Sequence, residues 1–186
     1  VRVEVKIKGI TPYMQHRFPI EDMREILDKV KIKVIKTKTP PVIKALYKEG
    51  DKIYLPAAHL EGAIKEASKN FKGRGRSSLY KVLCGILSVE PEKIFNFKPQ
   101  KWVIDERVGN NPNTGKGGNK VIIERPKFED WEAEFVIRVD TSDISSEKLR
   151  EVVEFAGNYV GIGSYRPSKG GKFGRFKIVK WEVLEK

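Results

Sequence analysis

The stretch Gly161-Ile-Gly-Ser-Tyr-Arg-Pro-Ser-Lys-Gly-Gly-Lys-Phe-Gly-Arg-Phe176 separates the last helical pattern of the chain from its last strand pattern, and its reading decides the fold. Before it, Leu149, Val152, Val153, Ala156 and Val160 recur at helical spacing, with Asp143, Ser145 or Ser146 available as a cap and Glu147 near the positive end. After it, Phe176 to Leu184 reads as a strand whose apolar set changes phase between Phe176/Ile178 and Val179/Trp181/Val183, which predicts a bulge or a strand covered on both faces. Six glycines fall between Gly157 and Gly174, and from Gly161 to Lys180 there are six Lys or Arg and no acid. Glycine admits positive φ and close approach of backbone amides, while cations and aromatic rings suit phosphates and base faces. Gly161, Gly163, Tyr165, Arg166, Lys169, Lys172, Phe173 and Arg175 are therefore expected to form a nucleic-acid-binding loop. The alternative is a solvated hairpin loop whose lysines keep it soluble.

Working outward, Val1, Val3, Val5 and Ile7 alternate with charged residues, the period of a strand with one buried face. Residues 10–55 read as an insertion: a broken connection over Tyr13 to Pro19, a short helix from Glu21 to Val30, a lysine-rich ribbon from Lys29 to Lys48, and a short strand from Lys52 to Leu55. Pro56 then sits at a helix start, and Leu60, Ile64, Ala67 and Phe71 mark one apolar face of a helix over Ala57 to Phe71. This helix runs into Lys72-Gly-Arg-Gly-Arg76, a second basic glycine loop in which Lys72, Arg74 and Arg76 are candidate contacts to a strand. A short helix over Ser78 to Leu87 and extended segments at Lys93 to Phe97 and Trp102 to Ile104 follow. Residues 107–120 read as a flexible loop with Arg107, Lys116 and Lys120 as further cationic contacts, and strands return at Val121 to Glu124 and Trp131 to Val139. The order is that of an α+β chain, a single domain over 1–186: a ferredoxin-like (RRM-type) β-α-β-β-α-β plait with insertions after the first strand and in the central strand region.

The net charge of +12 favours polyanionic partners without choosing between nucleic acid and lipid, and no amphipathic helix with a basic face points to a membrane. No apolar run reaches membrane-spanning length, no leader segment is visible, and the single Cys84 gives neither a disulfide nor a cysteine metal cluster, so the cytoplasm is the expected compartment. Abundant Lys and Glu with only two glutamines, Gln15 and Gln100, fit a thermophilic source. No cofactor and no metal site is expected.

Two stretches together resemble the CRISPR-associated RAMP superfamily. Ile53-Tyr-Leu-Pro-Ala-Ala-His-Leu-Glu-Gly-Ala63 is similar to the start of the first helix in those proteins, and Gly161-Ile-Gly-Ser with Lys172-Phe-Gly-Arg-Phe176 is similar to their C-terminal glycine-rich loop. The resemblance covers about a sixth of the chain. It implies single-stranded RNA binding, with single-stranded DNA as the other candidate, either as a guide-coating subunit that self-associates along the strand or meets other RAMP-like subunits, or as a metal-independent endoribonuclease. Ala57, Ala58 and Glu61 depart from the pattern, which has small polar and basic residues there. In the guide-coating branch Glu21 or Asp22 stands in the region of a target-cutting acid.

Cleavage without a metal needs a general base and a general acid, and histidine is the usual choice. His16, with Tyr13 or lysines of the glycine loop as partners, is the candidate under that alternative, whereas His59 in the first helical turn reads as a packed or capping side chain. Neither Gly-x-Ser-x-Gly nor a Walker loop is present. Binding of a single strand by the glycine-rich basic loop is the primary reading, and a structural protein with a basic docking face is the remaining alternative.

Overall fold

A computed structural model describes residues 1–17, 42–73, 77–110, 120–140 and 144–185. In chain order the strands and helices are β1 (Arg2–Gly9), β2 (Tyr13–Met14), β3 (Lys48–Glu49), β4 (Lys52–Ile53), β5 (Leu55–Pro56), α1 (Ala57–Ser68), α2 (Leu79–Ile86), β6 (Leu87–Glu90), β7 (Lys93–Ile94), β8 (Phe97–Lys98), β9 (Val103–Asn110), β10 (Lys120–Phe128), β11 (Glu132–Val139), α3 (Ser146–Phe155) and β12 (Phe176–Glu185). The main sheet runs β12-β1-β11-β6, with β8 also on β11, and its pairings are antiparallel. With α1 between β1 and β6 and α3 between β11 and β12, this is the expected ferredoxin-like order.

Alternation makes the sheet two-faced. Val3, Val5 and Ile7 of β1 and Ala133, Phe135, Ile137 and Val139 of β11 are buried toward the helices, where Leu60, Ile64 and Ala67 of α1 and Leu149, Val152 and Val153 of α3 meet them. α3 is capped by Ser145, whose Oγ accepts from the Lys148 amide at 3.2 Å; the alternative cap Asp143 lies outside the described residues. The phase change in the last strand is a pair of register shifts: Ile7 faces Ile178 and Lys6 faces Lys180, so Val179 is the extra residue, and Leu184 is the extra residue of the second shift.

Three expectations are corrected. The second strand of the plait is β6, not the segments at Lys93 or Trp102; the α2 helix passes into β6 at Leu87 without an intervening turn, so Leu83 to Leu87 reads as continuous helix. Helix α1 ends at Ser68, and Phe71 belongs to the turn beyond it. Arg107 and Lys120 are not in a loop: they lie on the β9–β10 hairpin, and only 111–119 between the strands falls outside the described residues. That hairpin pairs through β10 with Tyr13 and Met14 of β2, which lie inside the expected insertion. The expected helix from Glu21 to Val30 lies outside the described residues, as does the lysine-rich ribbon from Lys29 to Lys48 up to residue 41; its described end is not extended throughout, since Val42–Ala45 form a 3-10 turn before Lys48 enters β3.

Candidate nucleic-acid interface

The glycines of the 161–176 loop serve the loop itself. Gly161, Gly163, Gly170 and Gly174 have positive φ, and a Cβ on Gly174 would run into the Ile162 carbonyl, one on Gly163 into the Met14 carbonyl. The amides are turned inward: Ile162 donates to Gly174 O, Ser164 to Met14 O, Gly171 to Arg166 O, Phe173 to Tyr165 O and Gly174 to Pro12 O, all within 3.0 Å. The loop is a folded plug seated on the Thr11–Met14 segment, not a row of free amides.

Its aromatic residues are committed as well. The Arg107 guanidinium lies 4.9 Å from the Tyr165 ring centroid and 5.0 Å from that of Phe173, and Arg125 sits 4.8 Å from Tyr165. Arg107 is also held by Asp105, with Nε donating at 2.6 Å and Nη2 at 3.1 Å. These contacts clamp the loop onto the β9–β10 hairpin, so Tyr165, Phe173 and Arg107 form a structural clasp. Arg175 donates from its amide to Thr11 Oγ1 and from Nε to Asn158 O, which uses it at the base of the plug. Lys169 and Lys172 stay exposed at the loop surface. Lys72 pairs with Ser78 at the far end of α1, where Phe71 meets Phe155 and Lys148, so it does not join the glycine loop. Arg74, Arg76, Lys116, Glu21 and Asp22 lie outside the described residues.

What the structure brings together is a cleft of about 360 Å³ between α1 and the loop, lined by Ala58, His59, Gly62, Ala63 and Glu66 on one side and by Gly161 to Ser164, Arg166 and His16 on the other. His59, Gly62 and Glu66 share one helix face at i, i+3 and i+7. Arg166 is aimed by its own loop, Nη1 donating to Gly163 O at 3.1 Å and Nε to Ser168 Oγ at 3.1 Å.

Both imidazoles have lowered pKa values that favour the neutral form, and their hydrogen-bond partners set the tautomers. His59 Nδ1 lies 2.8 Å from the Tyr13 hydroxyl. Tyr13 is fully buried, which raises its pKa and keeps the proton on the oxygen, and a buried hydroxyl proton requires an acceptor, so it donates to Nδ1 and the ring proton sits on Nε2. Burial, and secondarily the Arg166 charge, lowers the His59 pKa to about 4. His16 stands at the cleft mouth; Arg125 Nε donates to its Nδ1 at 3.1 Å, which again leaves the proton on Nε2. Partial desolvation and then the Arg125 charge lower its pKa. Tyr13 thus lies in the core behind His59 and does not partner His16. Arg125 itself is only 8% exposed, and its Nη1 is buried without a partner among the described residues.

Glu61, the acidic departure from the motif, is turned away from the cleft: its Oε1 accepts from the Val89 amide at 3.0 Å and its Oε2 lies 3.6 Å from Lys65 Nζ. The open face of the main sheet is a lattice of paired charges, with Glu4 to Lys180 at 2.6 Å and Lys6 to Glu132 at 3.3 Å, and among its described residues it presents no aromatic side chain. It lacks the stacking platform that an RRM sheet offers to RNA. In the sequence His59 reads as a packed or capping side chain, and Gly62 and Glu66 carry no recognised site motif. The signal available was their shared helix face, opposite Glu61.

The fold and cleft define a ferredoxin-like α+β protein carrying a glycine-loop plug and a hairpin clasp. No protein-family model and no curated protein matches the sequence. Among solved structures, the Type III-B Cmr-beta complex bound to cognate target RNA, determined by cryo-EM, contains a chain similar over 99% of this chain and 60% of its own length, with 14% identity and a TM-score of 0.48. The crystal structure of Cmr6 from Pyrococcus furiosus is similar over 99% of this chain and 98% of its own, with 9% identity and a TM-score of 0.45. Among the described residues no helix is long and apolar enough to cross a membrane, and no group of three or more His, Cys, Asp or Glu could hold a metal ion.

Proposed function

We propose that the protein binds single-stranded nucleic acid, RNA before DNA, with the backbone entering the cleft between α1 and the glycine-loop plug. The observation that carries this reading is the donor set that lines the cleft: Arg166 beside His59, the Nε2 protons of His16 and His59, and the Ser164 hydroxyl. Such a set fits a phosphate, whose oxygens only accept. The net charge of +12 supplies the long-range attraction, and Lys169 and Lys172 extend the cationic surface beside the cleft. RNA is placed first on the resemblance of the two sequence motifs. Self-association along a strand and docking to RAMP-like subunits belong to the same proposal.

Binding is favoured over cleavage by the imidazoles. In each the proton sits on Nε2 and the other nitrogen is engaged by Arg125 or Tyr13, so neither ring keeps an unengaged lone pair to take a 2′-hydroxyl proton. The test is fluorescence anisotropy of a labelled 12-nucleotide RNA and the matching DNA at 50 and 200 mM salt. Affinity should fall at least about tenfold across that range, and Arg166→Ala should weaken it by a similar factor, with the melting temperature measured to account for its lost bonds to Gly163 and Ser168. Binding that ignores salt and survives Arg166→Ala would overturn the reading.

A further inference from the structure

The cleft is bipolar, and its second pole is a carboxylate. Glu66 lines it two helical turns beyond His59, about 10 Å along α1 at 1.5 Å per residue, and makes no ion pair among the described residues. The contrast with Glu61 is plain, since that side chain is consumed by Lys65 and the Val89 amide. A free carboxylate beside a phosphate-holding surface repels the backbone it is meant to hold. Its position acquires a use if what reaches it is not phosphate but the hydrogen-bonding edge of a base. Between the poles α1 contributes Gly62 and Ala63, and a Cβ on Gly62 would meet nothing within 4 Å, so the middle of the cleft is open. A volume of about 360 Å³ accommodates one nucleotide.

Building on the binding reading above, we propose that the cleft seats one nucleotide, its phosphate at the Arg166 end and its base edge at Glu66, and that Glu66 makes the site prefer bases with an exocyclic amino group over uracil. An ionised carboxylate only accepts, so it pairs with the amino group of cytosine or adenine. Uracil places a carbonyl oxygen at the same position, acceptor against acceptor. Glu66→Gln changes the acceptor-only group into one that both accepts and donates, at nearly the same size, on a helix that tolerates glutamine well.

The experiment measures dissociation constants of labelled C12, A12 and U12 RNA for the wild type, Glu66→Gln and Arg166→Ala, with melting temperatures as a folding control. The wild type should bind C12 and A12 about tenfold more tightly than U12, and Glu66→Gln should bring the three within about twofold, mainly by gaining U12. Comparing each ratio between wild type and variant removes the intrinsic stacking differences of the three homopolymers. Equal wild-type affinities that still fall in Arg166→Ala would overturn this specificity and leave the binding reading standing, as would a C12-to-U12 ratio that Glu66→Gln does not move. Absence of binding to all three would overturn both.

Discussion

Gly62 offers the cleanest separation of fold from function, because the same substitution acts on the two in opposite directions. It lies inside α1, where glycine costs about 0.5 to 1 kcal/mol relative to alanine, and its Cβ position is open space on the cleft side. Gly62→Ala should therefore raise stability by up to about 1 kcal/mol, which for a chain of this size moves the melting temperature up by about 2 to 4 °C. Gly62→Leu keeps the helix-forming gain and sends a branched side chain across the middle of the 360 Å³ cleft. It should leave the melting temperature at or above that of the wild type and reduce affinity for a labelled 12-nucleotide RNA at least about tenfold. Differential scanning fluorimetry and anisotropy on the same preparations give both readouts. A Gly62→Leu protein that is stable and binds like wild type would show that the strand does not pass through the cleft. A protein that unfolds would show that the open space beside Gly62 is wrong.

Two further outcomes test the supports of the cleft. The His59 pKa is lowered from 6.5 to about 4, so between those values the unfolded chain takes up a proton that the folded one refuses; stability is full above about pH 6.5 and declines toward pH 4. Urea titrations at pH 7 and 4.5 should show His59→Gln losing roughly 2 to 3 kcal/mol less than wild type over that interval, and equal losses would contradict the buried neutral ring. Gly174→Ala, at φ +72° against the Ile162 carbonyl, should cost more than about 2 kcal/mol, whereas Gly170→Ala, at similar φ but with nothing within 4 Å, should cost only about 1 kcal/mol; similar costs would mean that the plug is not packed as described.

Much of the fold is legible in the sequence because periodicity and capping act locally. The alternation of β1 and β11, the Leu60/Ile64/Ala67 face and the Ser145 cap each follow from short-range geometry. The bulge at Val179 is legible for the same reason, since a phase change in a period-two pattern has few other causes. β6 is not, because Leu87 closes a helix and opens a strand in one residue. The hairpin over Val103 to Phe128 is not either: Glu106 opposite Glu124, and Arg107 opposite Ile123, give no alternation in which one side is uniformly apolar. Its inner side is fixed by Arg107 and Arg125 stacking on Tyr165 and Phe173, contacts between residues far apart in sequence.

The candidate site shows the same division more sharply. Composition marks the glycine loop as the place where cations, aromatic rings and flexible backbone coincide, and that coincidence has a structural origin. Glycines at 163 and 174 let two backbone segments touch, the rings of Tyr165 and Phe173 hold Arg107, and Arg175 ties the plug to Asn158. A residue whose donors or ring face are satisfied inside the protein has little left for a ligand, so a count of basic and aromatic residues overstates the loop's share of binding. Arg166 is the exception, since its loop contacts use Nε and Nη1 and orient the remaining edge of the guanidinium. The complementary surface belongs to α1, whose cleft face carries His59, Gly62 and Glu66. Under the binding proposal the plug supplies one arginine to the cleft, and discrimination between bases falls to the helix it faces.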